Sequence, residues 1–272
     1  MDVRTLGGTP LPVVVDALVR AFDGYFVQLP ADLNYWAHRF HCAAVDLDRS
    51  YAVFDGNAIV AFIIQGFGVA EGITTAFNTG TGVLPNYRGL GLVDRLYAHA
   101  LPRMKQSGVG RCTLEVIQQN ERAIRVYERI GFHRLHTWHC FRGAIRSRNG
   151  AAVLAPVSPE AIDPRWWVDD GRYSWDHRWT ALRRSDGRWT IHVHQDLGYV
   201  VLDKNSGRIA QMEVRNEDDP TQWRDLLDAV AGLAQNVSIV NVHPRRKALI
   251  AALLEAGLVD DIDQFEMRMD VA

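Results

Sequence analysis

The stretch Val83-Leu84-Pro85-Asn86-Tyr87-Arg88-Gly89-Leu90-Gly91-Leu92-Val93 constrains this chain more than any other. It ends an apolar run and opens a helix. Gly89 and Gly91 remove side chains where a ligand has to approach the backbone closely. Arg88 places a planar cationic fork beside them. From Leu92 onward, Leu92, Leu96 and Ala100 recur at i, i+4 spacing, as do Val93, Tyr97 and Leu101. A helix of that kind begins with unpaired N–H donors and a partial positive charge. The loop therefore reads as an anion site suited to a pyrophosphate. A strand-to-helix turn that binds nothing is the plain alternative.

Two common phosphate loops fit poorly. A P-loop carries Lys and then Ser or Thr after its last glycine, where this chain has Leu92-Val93. A dinucleotide fingerprint places a third glycine where Asp94 stands. Glu115 does follow at the distance of a ribose-binding acid, about 20 residues on.

A second motif lies downstream. Cys112-Thr113-Leu114-Glu115-Val116-Ile117 alternates as a strand. It leads to Asn120-Glu121-Arg122-Ala123-Ile124-Arg125-Val126-Tyr127-Glu128-Arg129-Ile130-Gly131-Phe132, in which Ala123, Tyr127 and Ile130 share a helical face. Gly131 supplies the stop. The order strand, Val-x-Pro-x-x-Arg-Gly-x-Gly, helix, strand, Asn-x-x-Ala-x-x-x-Tyr-x-x-x-Gly-Phe resembles the GNAT N-acetyltransferase superfamily, over about residues 1–143.

That resemblance implies an α/β fold whose mixed, mostly antiparallel sheet is splayed at its centre and flanked by helices. Acetyl-CoA, as co-substrate, would lie in the splay, with its pyrophosphate on Arg88, Gly89, Leu90, Gly91, Leu92 and Val93. The strand ending at Thr81-Gly82-Val83, with Leu84, would offer N–H groups to the pantetheine and the thioester carbonyl, and fixed donors of that kind stabilise an oxyanion. Asn120 maps onto a cofactor-contacting Asn and is equally an N-cap for its helix. Tyr127 maps onto the acid that protonates the departing thiolate; packing against the sheet is its plainer role. Where the family has Gly or Ala, this chain has Val93, whose branched side chain crowds the helix entry.

An alkylammonium has to lose a proton before it attacks. Thr74-Thr75-Ala76-Phe77-Asn78-Thr79 carries no acid where many relatives place one, so Glu115 is the nearest candidate base, with Glu71, Asp23 and Tyr25 behind it. The implied activity is N-acetyl transfer from acetyl-CoA to an amine, on a small molecule or a peptide, by direct attack. A protein that holds acyl-CoA without turnover is the alternative.

The chain of 272 residues is long enough for two domains. Residues 144–165, with Ser147-Arg148-Asn149-Gly150 and several prolines, read as a linker. Beyond it, residues 166–272 read as a worn copy of the first half. Ile209 to Val214 matches the strand ending at Val83, and Arg215 to Leu227 matches Leu84 to Leu96. Arg88 then becomes Asp219, Gly89 becomes Pro220 and Gly91 becomes Gln222. Later Asn120 becomes Arg246 and Tyr127 becomes Leu253. Glu217-Asp218-Asp219 would repel a pyrophosphate. Gln264 to Met269 reads as the strand that closes the copy. Trp166, Trp167, Trp175, Trp179, Trp189 and Trp223 fall in this half, read as core and interface residues, with a substrate wall as the lesser alternative.

Hydrophobic residues make up 47% and charged residues 23%, an ordinary globular composition. A net charge of −2 speaks against a nucleic-acid or membrane surface as main partner. No apolar run reaches membrane length and Met1-Asp2-Val3-Arg4 lacks a signal-peptide core, so a cytoplasmic setting is expected. The three cysteines, Cys42, Cys112 and Cys140, are odd in number and widely spaced, as buried thiols of a reducing compartment would be. His38, His41 and Cys42, then His136, His139 and Cys140, and His192 with His194 form no complete ligand set. No metal is expected, and nothing in the sequence sets the oligomeric state.

Overall fold

The computed structural model describes residues 1–147, 152–158, 160, 171–185 and 187–271. By contact the chain divides into two units, Met1–Leu135 with Glu266–Ala272, and His136–Phe265.

In the first unit, β1 (Asp2–Thr5) is followed by α1 (Leu11–Ala21) and α2 (Leu33–Cys42). Strands β2 (Tyr51–Asp55), β3 (Ala58–Ala70) and β4 (Ile73–Val83) come next, then α3 (Leu92–Gln106), β5 (Arg111–Ile117) and α4 (Glu121–Ile130). Val14, Leu18 and Ala21 give α1 a buried stripe, and Asp32 caps α2 by accepting from the Asn34 N–H at 2.8 Å. Helix α1 packs on β3 and β4, whereas α3 packs on β1 to β4 and on α4. Helices on both faces explain why β3 is apolar at consecutive positions from Ile59 to Ile64.

Strands β1 to β4 form an antiparallel meander, and β5 joins β4 in parallel. Strand β13 (Gln264–Asp270) lies next to β5, and the Val271 N–H donates to the Gly110 carbonyl at 3.0 Å. Gly131 ends α4 at φ 120. The closing strand of the sequence copy thus falls in the first unit from Glu266 onward.

Strand β6 (His133–Ala144) passes into the second unit. There follow β7 (Ala155–Val157), α5 (Trp179–Arg183), β8 (Thr190–His194), β9 (Gly198–Asp203), β10 (Arg208–Val214), α6 (Pro220–Ala231), β11 (Asn236–Val242), α7 (Lys247–Glu255) and the short β12 (Val259–Asp260). The sheet order is β6-β11-β10-β9-β8-β7, with β12 also on β6. Here β6 holds beside β11 the place that β13 holds beside β5. Two alternating strands with similar faces carry no local mark of which sheet they join, so their exchange does not show in the sequence.

Trp223 lies in the core of this unit with Leu226, Val230, Leu249 and Leu253. Trp175 is buried, and Trp179 and Trp189 cover Tyr199 and Val201. Trp166 and Trp167 lie outside the described residues, as does part of the stretch read as a linker, whose described residues include β7.

Candidate active site

The central feature of the first unit is where one ladder stops. Strands β4 and β5 pair from Thr75↔Arg111 to Asn78↔Leu114 and no further. Both strands continue, β4 to Val83 and β5 to Ile117. A parallel pair that ceases to bond while both strands run on opens a wedge. The cause lies on β4, whose pairing with β3 slips by one residue between Gln65↔Asn78 and Ile64↔Gly80. Thr79 bulges out, and bulges bend a strand away from its partner.

The mouth of the wedge is the loop that the sequence singles out. A 3-10 turn covers Pro85–Tyr87. Gly89 sits at φ 86 and Gly91 at φ 66, a conformation that disfavours any Cβ. A side chain at Gly89 would meet nothing within 4 Å, so the backbone conformation, rather than lack of space, demands glycine there. No side chain caps α3, which leaves its first N–H groups available to an anion. Val93 is the second residue of α3.

Two residues of the predicted set are engaged elsewhere. The Leu84 N–H donates to the Val60 carbonyl at 2.9 Å, at the end of the β3–β4 ladder. Arg88 donates from Nε to the Val83 carbonyl at 3.3 Å and from Nη2 to the Ala21 carbonyl at 3.0 Å. Its guanidinium therefore ties the loop to the end of α1 instead of standing open as a phosphate fork. Asp94, in the first turn of α3, is neutralised by Arg129 through two bonds of 2.7 Å, Nε to Oδ1 and Nη2 to Oδ2. That pairing holds its carboxyl below the usual carboxylate range and removes an anion that would oppose a phosphate.

Deep in the wedge lies a cluster of buried hydroxyls. The Asn78 Nδ2 donates to Tyr97 Oη at 2.8 Å and to Thr81 Oγ1 at 2.7 Å. Tyr127 lies near Thr81 and Asn78, and burial pushes its phenol up to about 12. It is fully protonated at neutral pH. Asn120 caps α4, its Oδ1 accepting from the Ala123 N–H at 3.2 Å. Its Nδ2 donates to Tyr25 Oη at 3.3 Å. The cap and a contact at the wedge are thus compatible roles for one side chain.

Strand alternation sorts the candidates by face. Cys112 lies near Tyr97 and Tyr127, so Cys112, Leu114 and Val116 face α3 and α4. Glu115 points to the opposite face, that of α1 and α2. Tyr127 and Glu115 therefore flank β5 from its two sides. Glu71 is paired with Arg111 at 2.6 Å in the β3–β4 turn, which removes it as a base. Cys112 is fully buried and its thiol is pushed up to about 12 by burial, so it offers no thiolate. Among the described residues no group of three His, Cys, Asp or Glu side chains stands together to hold a metal ion. No helix among them is long and apolar enough to cross a membrane.

Residues 14–132 match the model of the Acetyltransferase (GNAT) family. The match lies within the first unit. The chain as a whole resembles solved GNAT structures in fold, a tandem one among them. A tandem GNAT protein from the clavulanic acid biosynthesis pathway superposes at TM-score 0.68 with 16% identity, over 100% of this chain and 98% of that one. A GCN5-related N-acetyltransferase from Sphaerobacter thermophilus gives 0.66 with 13% identity, over 99% and 95%. A protein of Pyrococcus horikoshii provisionally named an acetyltransferase gives 0.71 with 14% identity, over 99% and 89%. No curated protein matches the sequence.

The second GNAT-like unit repeats the wedge and fills it. Strands β10 and β11 pair only at Arg208↔Ser238 and Ile209↔Ile239. At the matching loop, α6 already begins at Pro220, the counterpart of Gly89. Asp219, the counterpart of Arg88, caps that helix by accepting from the Thr221 N–H at 2.8 Å. The chain's own carboxylate thus meets the donors that an external anion would need.

Proposed function

We propose that this protein is an N-acetyltransferase that uses the first-unit wedge to transfer acetyl from acetyl-CoA directly to an amine. One observation carries the reading. The β4–β5 ladder ends at Asn78↔Leu114, directly below a helix start that no side chain caps. Open N–H donors beside an open wedge fit a long ligand with a diphosphate at one end.

The N–H groups of Gly89 through Val93 would hold the diphosphate, with Arg88 and Leu84 fixing the loop from behind. Asn120 and the strand end at Val83 would hold the arm. Acetyl-CoA supplies an activated thioester. Tyr127, kept protonated by burial, donates to the departing sulfur. Glu115, on the other face of β5, would take a proton from an incoming amine. The Cys112 thiol is no competing nucleophile, so transfer is direct. The acceptor is an amine of a small molecule or a peptide.

Thiol release from acetyl-CoA, measured against a panel of primary amines and amino-terminal peptides, tests the reading. Amine-dependent release supports it. Acetyl-CoA that binds tightly but releases no thiol with any amine supports a holder of acyl-CoA instead.

A further inference from the structure

We propose that the turn after α1 is the acceptor subsite of the first-unit wedge and that it takes a primary amine carried on an aromatic body. This rests on the transferase reading and names the class of amine within it.

The turn is Phe22-Asp23-Gly24-Tyr25-Phe26-Val27. The Phe22 N–H closes α1 by donating to the Leu18 carbonyl at 3.1 Å, and the Tyr25 N–H donates to the Phe22 carbonyl at 3.0 Å. Gly24, at φ 69, lets the chain double back between them. Three rings are gathered in this way, with Tyr25 edge-to-face against Phe22 at 4.9 Å and against Phe26 at 5.1 Å. Rings packed like this usually belong to a core. Here Phe22 and Tyr25 are only half-buried, while Phe26 is 49% and Val27 45% exposed. Contiguous apolar side chains left open to water mark a binding surface.

Two bonds fasten the turn to the wedge. Arg88, in the loop before α3, donates to the Ala21 carbonyl at 3.0 Å, and Asn120, at the start of α4, donates from Nδ2 to Tyr25 Oη at 3.3 Å. The direction of the second is fixed, because Asn120 Oδ1 accepts the Ala123 N–H and a backbone N–H can only donate. Tyr25 Oη therefore accepts, and its own hydrogen remains to be given to a ligand. Burial raises its phenol, so that hydrogen is kept at neutral pH. Asp23 stands exposed on the turn, and Arg20, one step back on α1, is paired with Asp16 at 3.3 Å. Ring faces and a carboxylate both attract an arriving ammonium group. The rings offer an aromatic body edge-to-face partners, whereas one hydroxyl is little provision for a sugar-like amine. In the transfer the nitrogen, as free base, bonds to the acetyl carbon as the C–S bond breaks, and the proton it sheds ends on the departing thiol.

Two readouts test the proposal, one without acetyl-CoA. Protein labelled with 13C at the tyrosine ring carbon bearing the hydroxyl gives one resonance per tyrosine, and Tyr25→Phe assigns that of Tyr25. Added 2-phenylethylamine should move this resonance, whereas ethanolamine should leave it in place. Thiol release from acetyl-CoA should then show a kcat/KM for 2-phenylethylamine at least about tenfold above that for ethanolamine. Phe26→Ser, at an exposed position, should raise the KM for 2-phenylethylamine about tenfold, the size of one lost aromatic contact. Its KM for acetyl-CoA should stay within about threefold of wild type. Val69→Ser, also exposed and at the far end of β3, should change neither KM. A Tyr25 resonance that ignores 2-phenylethylamine, equal use of the two amines, or a Phe26→Ser variant whose KM rises for acetyl-CoA and not for the amine overturns the proposal and leaves the transferase reading standing. Wild-type protein that releases no thiol with any amine overturns the transferase reading, and the acceptor role of the turn falls with it even if the resonance moves.

Discussion

The Arg246 guanidinium donates from Nη2 to the Glu213 carboxylate at 2.9 Å and to the Met212 carbonyl at 2.8 Å. Both residues lie at the end of β10, where the second wedge opens, and Arg246 holds the place that Asn120 holds in the first unit. Tyr173 donates to the same carboxylate, and Arg246 lies over the rings of Tyr173 and Trp223. The side chains are nearly closed to solvent. Arg246 thus runs along the strand edge that a cofactor arm would need.

Removing one partner of such a pair strands the other. Arg246→Met should destabilise the protein by about 3–5 kcal/mol, because the buried Glu213 is left without its cationic partner. Arg246→Met with Glu213→Leu should recover most of that loss, since replacing both partners by apolar residues is often close to neutral. Chemical denaturation of the two variants checks the order. A single variant that loses less than the double one contradicts this account of the plug.

The Asp94–Arg129 pair is half-exposed, so screening limits its worth. Asp94→Asn should cost about 0.5–1 kcal/mol near neutral pH. The sign with pH follows from the direction of the shift. The pairing depresses the folded-state pKa of Asp94, so its stabilisation is present above the unfolded value of about 3.9. It is lost as pH falls through the folded value. The stability difference between wild type and Asp94→Asn should therefore shrink on acidification and vanish once the pH lies below the folded-state value. A difference that persists there contradicts the ion-pair origin.

Gly91→Ala places a Cβ on a left-handed residue and should cost about 1–2 kcal/mol of stability. The same substitution should weaken acetyl-CoA binding, because relieving the strain turns the helix N–H groups away from the diphosphate. Thermal unfolding and calorimetric binding on one preparation check both effects. Unchanged affinity at reduced stability would show that the loop is only a turn.

Cys112→Ala should keep amine-dependent thiol release within a few fold, the change coming from packing alone. A drop of a hundredfold or more would mean that the thiol carries acetyl and that transfer is not direct.

The local parts of this fold are legible in the sequence. The Gly89–Gly91 turn, α3, and α4 with its Asn120 cap and Gly131 stop each depend on residues a few positions apart. What depends on distant pairing is not legible. The wedge exists because a ladder stops at Asn78↔Leu114, and no residue type spells out the end of a ladder. Arg88 reads as a ligand fork because its true acceptor, Ala21, lies 67 residues away. Tyr97 reads as a core position on the α3 face, and its bond to Asn78 appears only in three dimensions. The exchange of β6 and β13 escapes notice for the same reason. Asn78 was in view as the place where an acid is missing, and its amide chemistry emerges once its partners are known.

One measurement tests the central claim, a single working wedge in the first unit. Calorimetric titration with acetyl-CoA should give one site per chain. Arg88→Ala should weaken that site about tenfold, the equivalent of 1.4 kcal/mol from a loop no longer tied to α1, and the Arg246→Met, Glu213→Leu double variant should leave it unchanged. Two sites per chain, or one site that responds to the Arg246 and Glu213 substitutions and ignores Arg88→Ala, would contradict it.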